Sequence, residues 1–592
     1  MDDPRKQGPQ QGPIDWSEFI KQAQQSGAGA DFNKIKSRFS HLKKRTIVIA
    51  AVVLVLVLAL AYWWFHPAIN IQSIDLWGFL VVILALVTFV LFVFRQIYQT
   101  GMGKREKSPK KVKLFTGLMV IPIAIAVIGA VGWLASQSFF PGNAEKYSTV
   151  LVTEDADFAT DIPEVNYSEI PFIDKDSAIL LGNRTMGTMA DYVSQFEISD
   201  LYSQINYKGQ PVRVSPLNYA DFFKWWANKD GGIPAYVIVN MSTQDTEIVR
   251  LENPIRYSDS DPFFYNVDRH VQLSHPFYMF DEKSFEINDD GEPFWIYPVQ
   301  KRTIGLFGGT TIQRVVLCNA STGECQDYAI EDVPQWVDRA YPAELLIEQY
   351  NWSGALSGGW INSWLGQNGV KQTTPSTDGK SGFNYIAQDD DVWVYSGVTS
   401  ATADNSIIGC VMINQRTAES KFYSVAGATE ESAMRSAEGQ VQHLQYDATF
   451  PLLINVDGQP TYFMALKDAA GLVKMYAMVD IQRYQNVAVG DTLAATEKSY
   501  KQLLVSQGIN VGGSDASAHP SAGSTSGTIA SISPVVLDGN SHYYLILDGQ
   551  QAIFDCPVAS VVDVVRYKVG DVIVLNHGSS EGNVVLVDSI GE

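Results

Sequence analysis

Four cysteines and eight histidines are the side chains of this 592-residue chain best suited to nucleophilic, redox or metal chemistry. Cys318 and Cys325 flank the turn Asn319 to Glu324 and could face each other across a hairpin. An oxidising exterior would permit a disulfide there, and the sequence leaves open whether it forms. Cys410 sits in an apolar run and Cys556 precedes Pro557, so both read as small buried hydrophobes without an activating neighbour. His270 and His275 belong to no His-Glu-x-x-His pair, and neither a Gly-x-Ser-x-Gly elbow nor a phosphate-binding Walker loop occurs. No residue is assigned to catalysis, cofactor binding or a metal, and no cofactor is expected. Distant residues could still assemble a triad, because triads are defined by geometry and not by order.

Carboxylates and aromatics offer two weaker leads. Glu286-x-Asn288-x-Asp290-Gly291 imitates the start of a calcium loop, but the acid expected at the twelfth position falls on Tyr297, so the segment reads as a turn. Asp389 to Asp391 could grip a divalent cation, although an acidic loop on an acidic domain is more often simply solvated. Tryptophans such as Trp225, Trp226, Trp295, Trp336 and Trp393 are numerous enough to suggest glycan stacking, with core packing the commoner fate. The stretch Asn351 to Gly369 interleaves Ser and Gly with Trp352, Trp360 and Trp364 and is the best candidate for an exposed aromatic binding loop.

The elements that would position these residues begin at a membrane. Three nearly uncharged runs, Thr46 to Phe65, Leu76 to Phe94 and Leu114 to Ala135, are each about one bilayer long, which predicts three transmembrane helices within residues 46–138. Lys43, Lys44 and Arg45 precede the first run, and six basic residues from Lys104 to Lys113 separate the second and third, whereas His66 to Ile74 has none. The positive-inside rule then places the N-terminus in the cytoplasm and residues 139–592 outside the cell in a multi-pass membrane protein. Within the basic leader, residues 1–45, Phe32, Ile35, Phe39 and Leu42 recur at helical spacing and would suit either an inner-leaflet surface helix or a solvated flank. The charge divides the same way: residues 1–113 carry 16 basic and 7 acidic groups, and the remainder 27 and 57. An outer portion that acidic excludes nucleic acid as a partner.

Residues 139–507 repeat two phrases. Ile-Asn-x-x-Gly-x-Pro occurs at Ile205, Ile287 and Ile454, and an apolar strand closing in Asn-x-x-Thr occurs at Asn240, Asn319 and Asn414, with a degenerate copy at Asp480. Gly supplies a turn's positive φ, and an Asn or Asp at a strand end can bond its own backbone, so the phrases predict hairpins. Helix-like segments between them complete an α+β unit repeated about four times. The strand, Asn/Asp-x-x-Thr-x-Glu turn and return strand resemble the PepSY-type repeats of bacterial envelope proteins. That resemblance implies a non-catalytic extracytoplasmic binding or regulatory module, a role sometimes attached to proteases or envelope assembly. Residues 508–527, small and polar, read as a flexible linker. Residues 528–592 read as five short strands closing a small all-β barrel, OB-like or SH3-like, whose two basic residues against eight carboxylates disfavour nucleic acid.

The sequence thus predicts a membrane-anchored, non-enzymatic binding or regulatory protein of the cell envelope, partnered by the lipid bilayer and by an envelope protein or cell-wall glycan. The alternative is an envelope hydrolase or transpeptidase with dispersed catalytic residues, marked by a Cys-His or Ser-His pair in a deep pocket.

Overall fold

Apolar alternation punctuated by Asn, Asp and Gly turns folds most of this chain into antiparallel sheets. The computed structural model describes residues 44–100, 108–164, 170–375, 382–388, 390–401, 406–507, 509, 523–537, 540–550, 552–558, 561–577 and 584–591. Residues 1–43 of the basic leader with its Phe32-to-Leu42 stripe, Asp389, and residues 508 and 510–522 of the expected linker lie outside them, while residues 523–527 belong to the strand Gly523–Leu537. The chain divides into two compact units, one of Met1–Glu154, Ala178–Asp404 and Val411–Phe422, the other of Asp155–Ser177, Asn405–Cys410 and Tyr423–Glu592.

The first unit opens with apolar helices at Lys44–Phe65 and Ile74–Thr100, then Pro109–Leu118 continuing after Met119 as Val120–Ala135. The interruption has a local cause, since Pro122 has no N–H to donate and its ring crowds the carbonyl four residues back, at Leu118. Two helices among the described residues are long and apolar enough to cross a membrane, Ile74–Thr100 and Pro109–Ala135, each of 27 residues. At 1.5 Å per residue each reaches about 40 Å, more than the roughly 30 Å of hydrocarbon. The described apolar part of the first helix, Val52–Phe65, reaches only about 20 Å. The expectation of three spans is therefore corrected to two.

The rest of the first unit is built from separate sheets. Ser203–Tyr207, Gln210–Tyr219, Ile233–Asn240 and Thr246–Ile255, with Phe196–Ile198, form one of five strands. Ser284–Ile287, Pro293–Ile304, Gly308–Asn319 and Cys325–Ala329 form an antiparallel meander of four. A third sheet centres on Asp391–Ser400, flanked by Lys371–Thr373 and Asn384–Gln388. Tyr236, Phe285 and Trp295, all fully buried, meet edge to face between the first two sheets. In the second unit Leu452–Val456, Gln459–Lys467, Val473–Asp480 and Val487–Gly490 form an antiparallel meander packed on the helices Glu430–Gln440 and Leu493–Ser506. It also holds a closed five-stranded barrel, Gly523–Leu537, Asn540–Leu547, Ile553–Pro557, Val584–Gly591 and Val572–His577 in spatial order. One barrel pairing, Ile553–Pro557 with Val584–Gly591, is parallel. The expected array of repeated helix-and-hairpin units is thus replaced by a mixed α/β assembly of sheets that differ in strand number, while the C-terminal residues do close a five-stranded barrel.

Two kinds of turn recur across these sheets. Lys208-Gly209 and Asp457-Gly458 both carry positive φ at both central positions, the twist-matched two-residue hairpin turn. At four strand ends one side-chain oxygen caps the next two turn amides: Asn240 accepts from Ser242 and Thr243, Asn319 from Ser321 and Thr322, Asn414 from Arg416 and Thr417, and Asp480 from Gln482 and Arg483.

Candidate functional site

The helix Val267–Ser274 is short, yet it ties three chemistries together. Asn266 caps it, its side chain accepting from the Arg269 amide at 3.1 Å. Because successive helical residues point about 100° apart, Asp268, Arg269 and His270 reach three different surroundings.

Asp268 accepts from Lys283 Nζ at 2.8 Å and from the Tyr297 hydroxyl at 2.6 Å, and Lys283 also reaches Asp259 at 2.8 Å. Burial pulls the Lys283 ammonium down, but the two carboxylates outweigh it and hold its pKa above the usual lysine value. Burial raises Asp259 despite Lys283, and raises Tyr297 well above an ordinary phenol. These groups line a cavity of about 670 Å³ together with His66, Asp75 and Arg302. The cavity therefore lies between the loop joining the first two apolar helices and the four-stranded sheet, and its wall mixes charged side chains with apolar ones such as Phe65, Met279 and Phe280.

Arg269 faces the first apolar helix. Its Nε donates to the Trp63 carbonyl at 3.1 Å, its guanidinium lies 4.1 Å from the centroid of the Trp63 ring, and Nη1 donates to the Phe263 carbonyl. A second attachment is made by the tip of the hairpin Pro293–Ile304 and Gly308–Asn319. The Leu306 and Phe307 amides both donate to Ser136 Oγ, at 2.8 and 2.9 Å, at the end of Val120–Ala135. Phe307 packs edge-on against Trp77, and a Cβ at Gly132 would come within 2.7 Å of Leu306.

His270 turns to the thiols. Cys318 and Cys325 are directly opposite in register, and the adjacent pair Asn319 and Glu324 is joined by Asn319 N–H to the Glu324 carbonyl at 2.9 Å. Alternation along an antiparallel ladder makes the cysteines a non-hydrogen-bonded pair, the kind whose side chains approach most closely. The structure holds them as free thiols. His270 Nε2 donates to the Gly323 carbonyl at 2.7 Å, and its ring, 4.3 Å from that of Tyr257, lies so that one donor atom each from His270, Cys318 and Cys325 falls within 4.8 Å of the others. Hydrogen bonding from Cys318 brings the Cys325 thiol down to about 5 against the burial that raises it, and His270 adds to the pull. The same bond, with burial, pushes Cys318 up, and bonding to Cys325 raises His270. The arrangement favours a thiolate on Cys325 beside an imidazolium, a nucleophilic or soft-metal-binding combination.

The other residues singled out in the sequence are scattered. Trp352 is half-buried against Tyr147, 4.9 Å between centroids, in a small core with Ile304 and Leu356. Trp360 and Trp364 sit together 5.7 Å apart, with Trp360 against Phe139 just beyond the last apolar helix. The tryptophans of the proposed loop thus divide between a core and a surface. Asp391 is buried, both oxygens held by Arg416 at 2.6 and 2.8 Å and one shared with Asn414, which leaves it to the turn and not to a cation. Asn288 closes its own turn by accepting from Asp290 and Glu292. Glu286 is fully buried, bonded to Ser284 and to the Asp338 and Arg339 amides. Burial raises Cys410 and pushes Cys556 up to about 12, so both are inert thiols. His275 stacks on Tyr278. Sequence reasoning missed Asp259, Asp268 and Lys283, and met Tyr297 only as a misfit in a calcium-loop pattern, since no local spacing joins the four.

No protein family and no curated protein matches the chain. Among solved structures, two single-residue variants of Synechocystis apocarotenoid oxygenase align at 10% and 11% identity with TM-scores of 0.14 and 0.15, each over 48% of this chain. The alignment spans 60% of the oxygenase chain. Likeness at that level carries neither fold nor activity to this protein.

Proposed function

We propose that this is a cell-envelope protein, anchored in the membrane by its apolar helices, whose acidic body is a non-enzymatic binding or regulatory module outside the cell. The observation that carries the reading is the double attachment of the body to the apolar helices, through Arg269 at Trp63 and through Ser136 at Leu306 and Phe307. Residues that bind helix ends so closely transmit force or position between helix and body, as an anchor for a binding surface requires. Charge supports the orientation: the segment between the two long helices holds six basic residues from Lys104 to Lys113, while the chain beyond is strongly acidic. An envelope protein or wall glycan is the partner class that such a body meets.

A hydrolase or transpeptidase is the second reading, favoured by one observation, the Cys325 and His270 pair. Against it, neither His270 nor Cys325 lines the cavity, and Cys325 is paired directly opposite Cys318 in the ladder. Full-length protein in lipid nanodiscs, incubated with isolated cell wall and envelope extract, separates the two. Saturable retention of one glycan or one envelope protein, with wall fragments and peptides left intact, is the expected result. Cleavage of those fragments that disappears in C325S contradicts the proposal and establishes the enzyme.

A further inference from the structure

Large aromatic side chains left in water are costly, and a contiguous set of them marks a surface meant to be covered. The first unit carries two such sets, and each starts at the end of an apolar helix. Phe264, 80% exposed, packs on Trp63 at 6.0 Å. Its neighbour Phe263 touches Trp225, which in turn touches Phe222 and Trp226, carrying the patch outward to Phe223, 79% exposed. The helix Phe222–Asn228 is held with this face outward because Asp221 caps it and Trp225 alone turns inward, its indole N–H donating to Asp261 at 2.7 Å. The second set begins at Phe139, passes through Trp360 to Trp364, and ends on Leu365, 66% exposed, in the single π-helical turn Asn362–Gly366.

We infer that these two aromatic faces are seated in the outer leaflet of the bilayer, so that the body lies on the membrane surface beside its own anchor. The inference rests on the membrane reading above. Continuity selects lipid over other occupants: the second patch starts at Phe139, four residues beyond the long apolar helix that ends at Ala135, and the first at Trp63, beside Phe65, whose ring packs on Phe79 of the other long helix, so both lie near headgroup depth wherever the long helices cross. Their composition agrees, since tryptophan is enriched at membrane interfaces and a lysine beside it, here Lys229 at 5.4 Å from the Trp226 ring, can lay its stem on apolar surface with its ammonium in water. Trp360 and Trp364 then act as interfacial anchors and not as a glycan platform.

Nitroxide labels at F223C and L365C in the full-length protein in nanodiscs test this, by comparing collision with oxygen, which concentrates in lipid, and with a water-soluble nickel chelate. F89C, in the long apolar helix, and D290C, in the turn at the opposite end of the strand that reaches Leu306, serve as references, and the unsubstituted protein as the labelling blank. Oxygen collisions exceeding nickel collisions several-fold at 223 and 365, as at 89 and unlike 290, are expected. If 89 reports lipid while 223 and 365 match 290, the inference is overturned and the membrane reading stands, leaving a soluble protein, a glycan or a second copy as occupant. If 89 itself reports water, the membrane reading fails and the inference with it.

Discussion

Lys283 is held between Asp259 and Asp268, and its removal leaves two carboxylates with no cation between them. A fully buried pair broken in this way costs roughly 3–5 kcal/mol, and partial exposure of both carboxylates lowers the figure here to about 2 kcal/mol. K283M is therefore expected to lower the denaturation midpoint of the first unit measured by intrinsic fluorescence, whereas K301M, on an exposed side chain of the same sheet, leaves it in place. Glu286 and Asp338 behave oppositely. Both are buried, burial and mutual repulsion raise Asp338 well above the usual carboxylate range, and one Asp338 oxygen has no partner. A carboxyl whose folded pKa is raised contributes stability that is complete below its unfolded pKa and is lost as pH rises through the folded value. D338N should accordingly stabilise the protein by roughly 1 kcal/mol at pH 7, an advantage that vanishes near pH 4 in denaturation curves run at both values. At the thiols, a thiolate near pH 5 predicts that iodoacetamide modification of Cys325 in the reduced protein is flat from pH 6 to 8, and that H270A moves its midpoint upward. In unreduced protein from an oxidising exterior, a linked peptide joining Cys318 and Cys325 is the expected digest product. The cysteines were legible because six residues and one turn separate them. The Lys283 network was not, because Asp259, Asp268, Lys283 and Tyr297 meet only once a helix folds back on a sheet.

Turns were the most readable elements. An Asn or Asp at a strand end followed three residues later by Thr can satisfy two amides with one oxygen, a local interaction that survives in any fold, and Asn240, Asn319 and Asn414 all make it. Assembly of hairpins into sheets was less readable, because pairing between strands far apart in sequence is set by packing that the turn phrases do not encode. The membrane helices were over-read for a related reason. In the sequence the uncharged runs Thr46 to Phe65 and Leu76 to Phe94 are of similar length, whereas the described apolar helices, Val52–Phe65 and Ile74–Thr100, are not. The attachment at Ser136 had no sequence signal, since a serine beyond an apolar run is unremarkable until a hairpin tip lands on it. S136A removes the acceptor for two amides and is expected to speed exchange of the Leu306 and Phe307 amide protons at least tenfold, with Val315 in the same strand pair unchanged. Unchanged exchange at 306 and 307 would mean that the tip is held by Trp77 and Gly132 packing alone.

At the scale of the whole molecule, we propose a body outside the cell, attached at Trp63 and Ser136 to helices long and apolar enough to cross the membrane. Composition supports the sidedness through the segment between the two long helices, which holds six basic residues from Lys104 to Lys113, against 27 basic and 57 acidic groups after residue 113. The strand Pro293–Ile304 runs from the turn at Asn288 to Glu292 toward the helix-bound tip at Leu306, so its two ends report opposite limits of the sheet. Sidedness decides the account, since a body in the cytoplasm would have neither wall nor envelope partner to bind. The direct measurement is labelling of introduced cysteines with a membrane-impermeant maleimide in intact cells, at D290C in the body and at K110C in the basic segment, with the unsubstituted protein as the blank. Labelling of D290C in intact cells, with K110C labelled only after permeabilisation, is the predicted result. The reverse pattern would contradict the account.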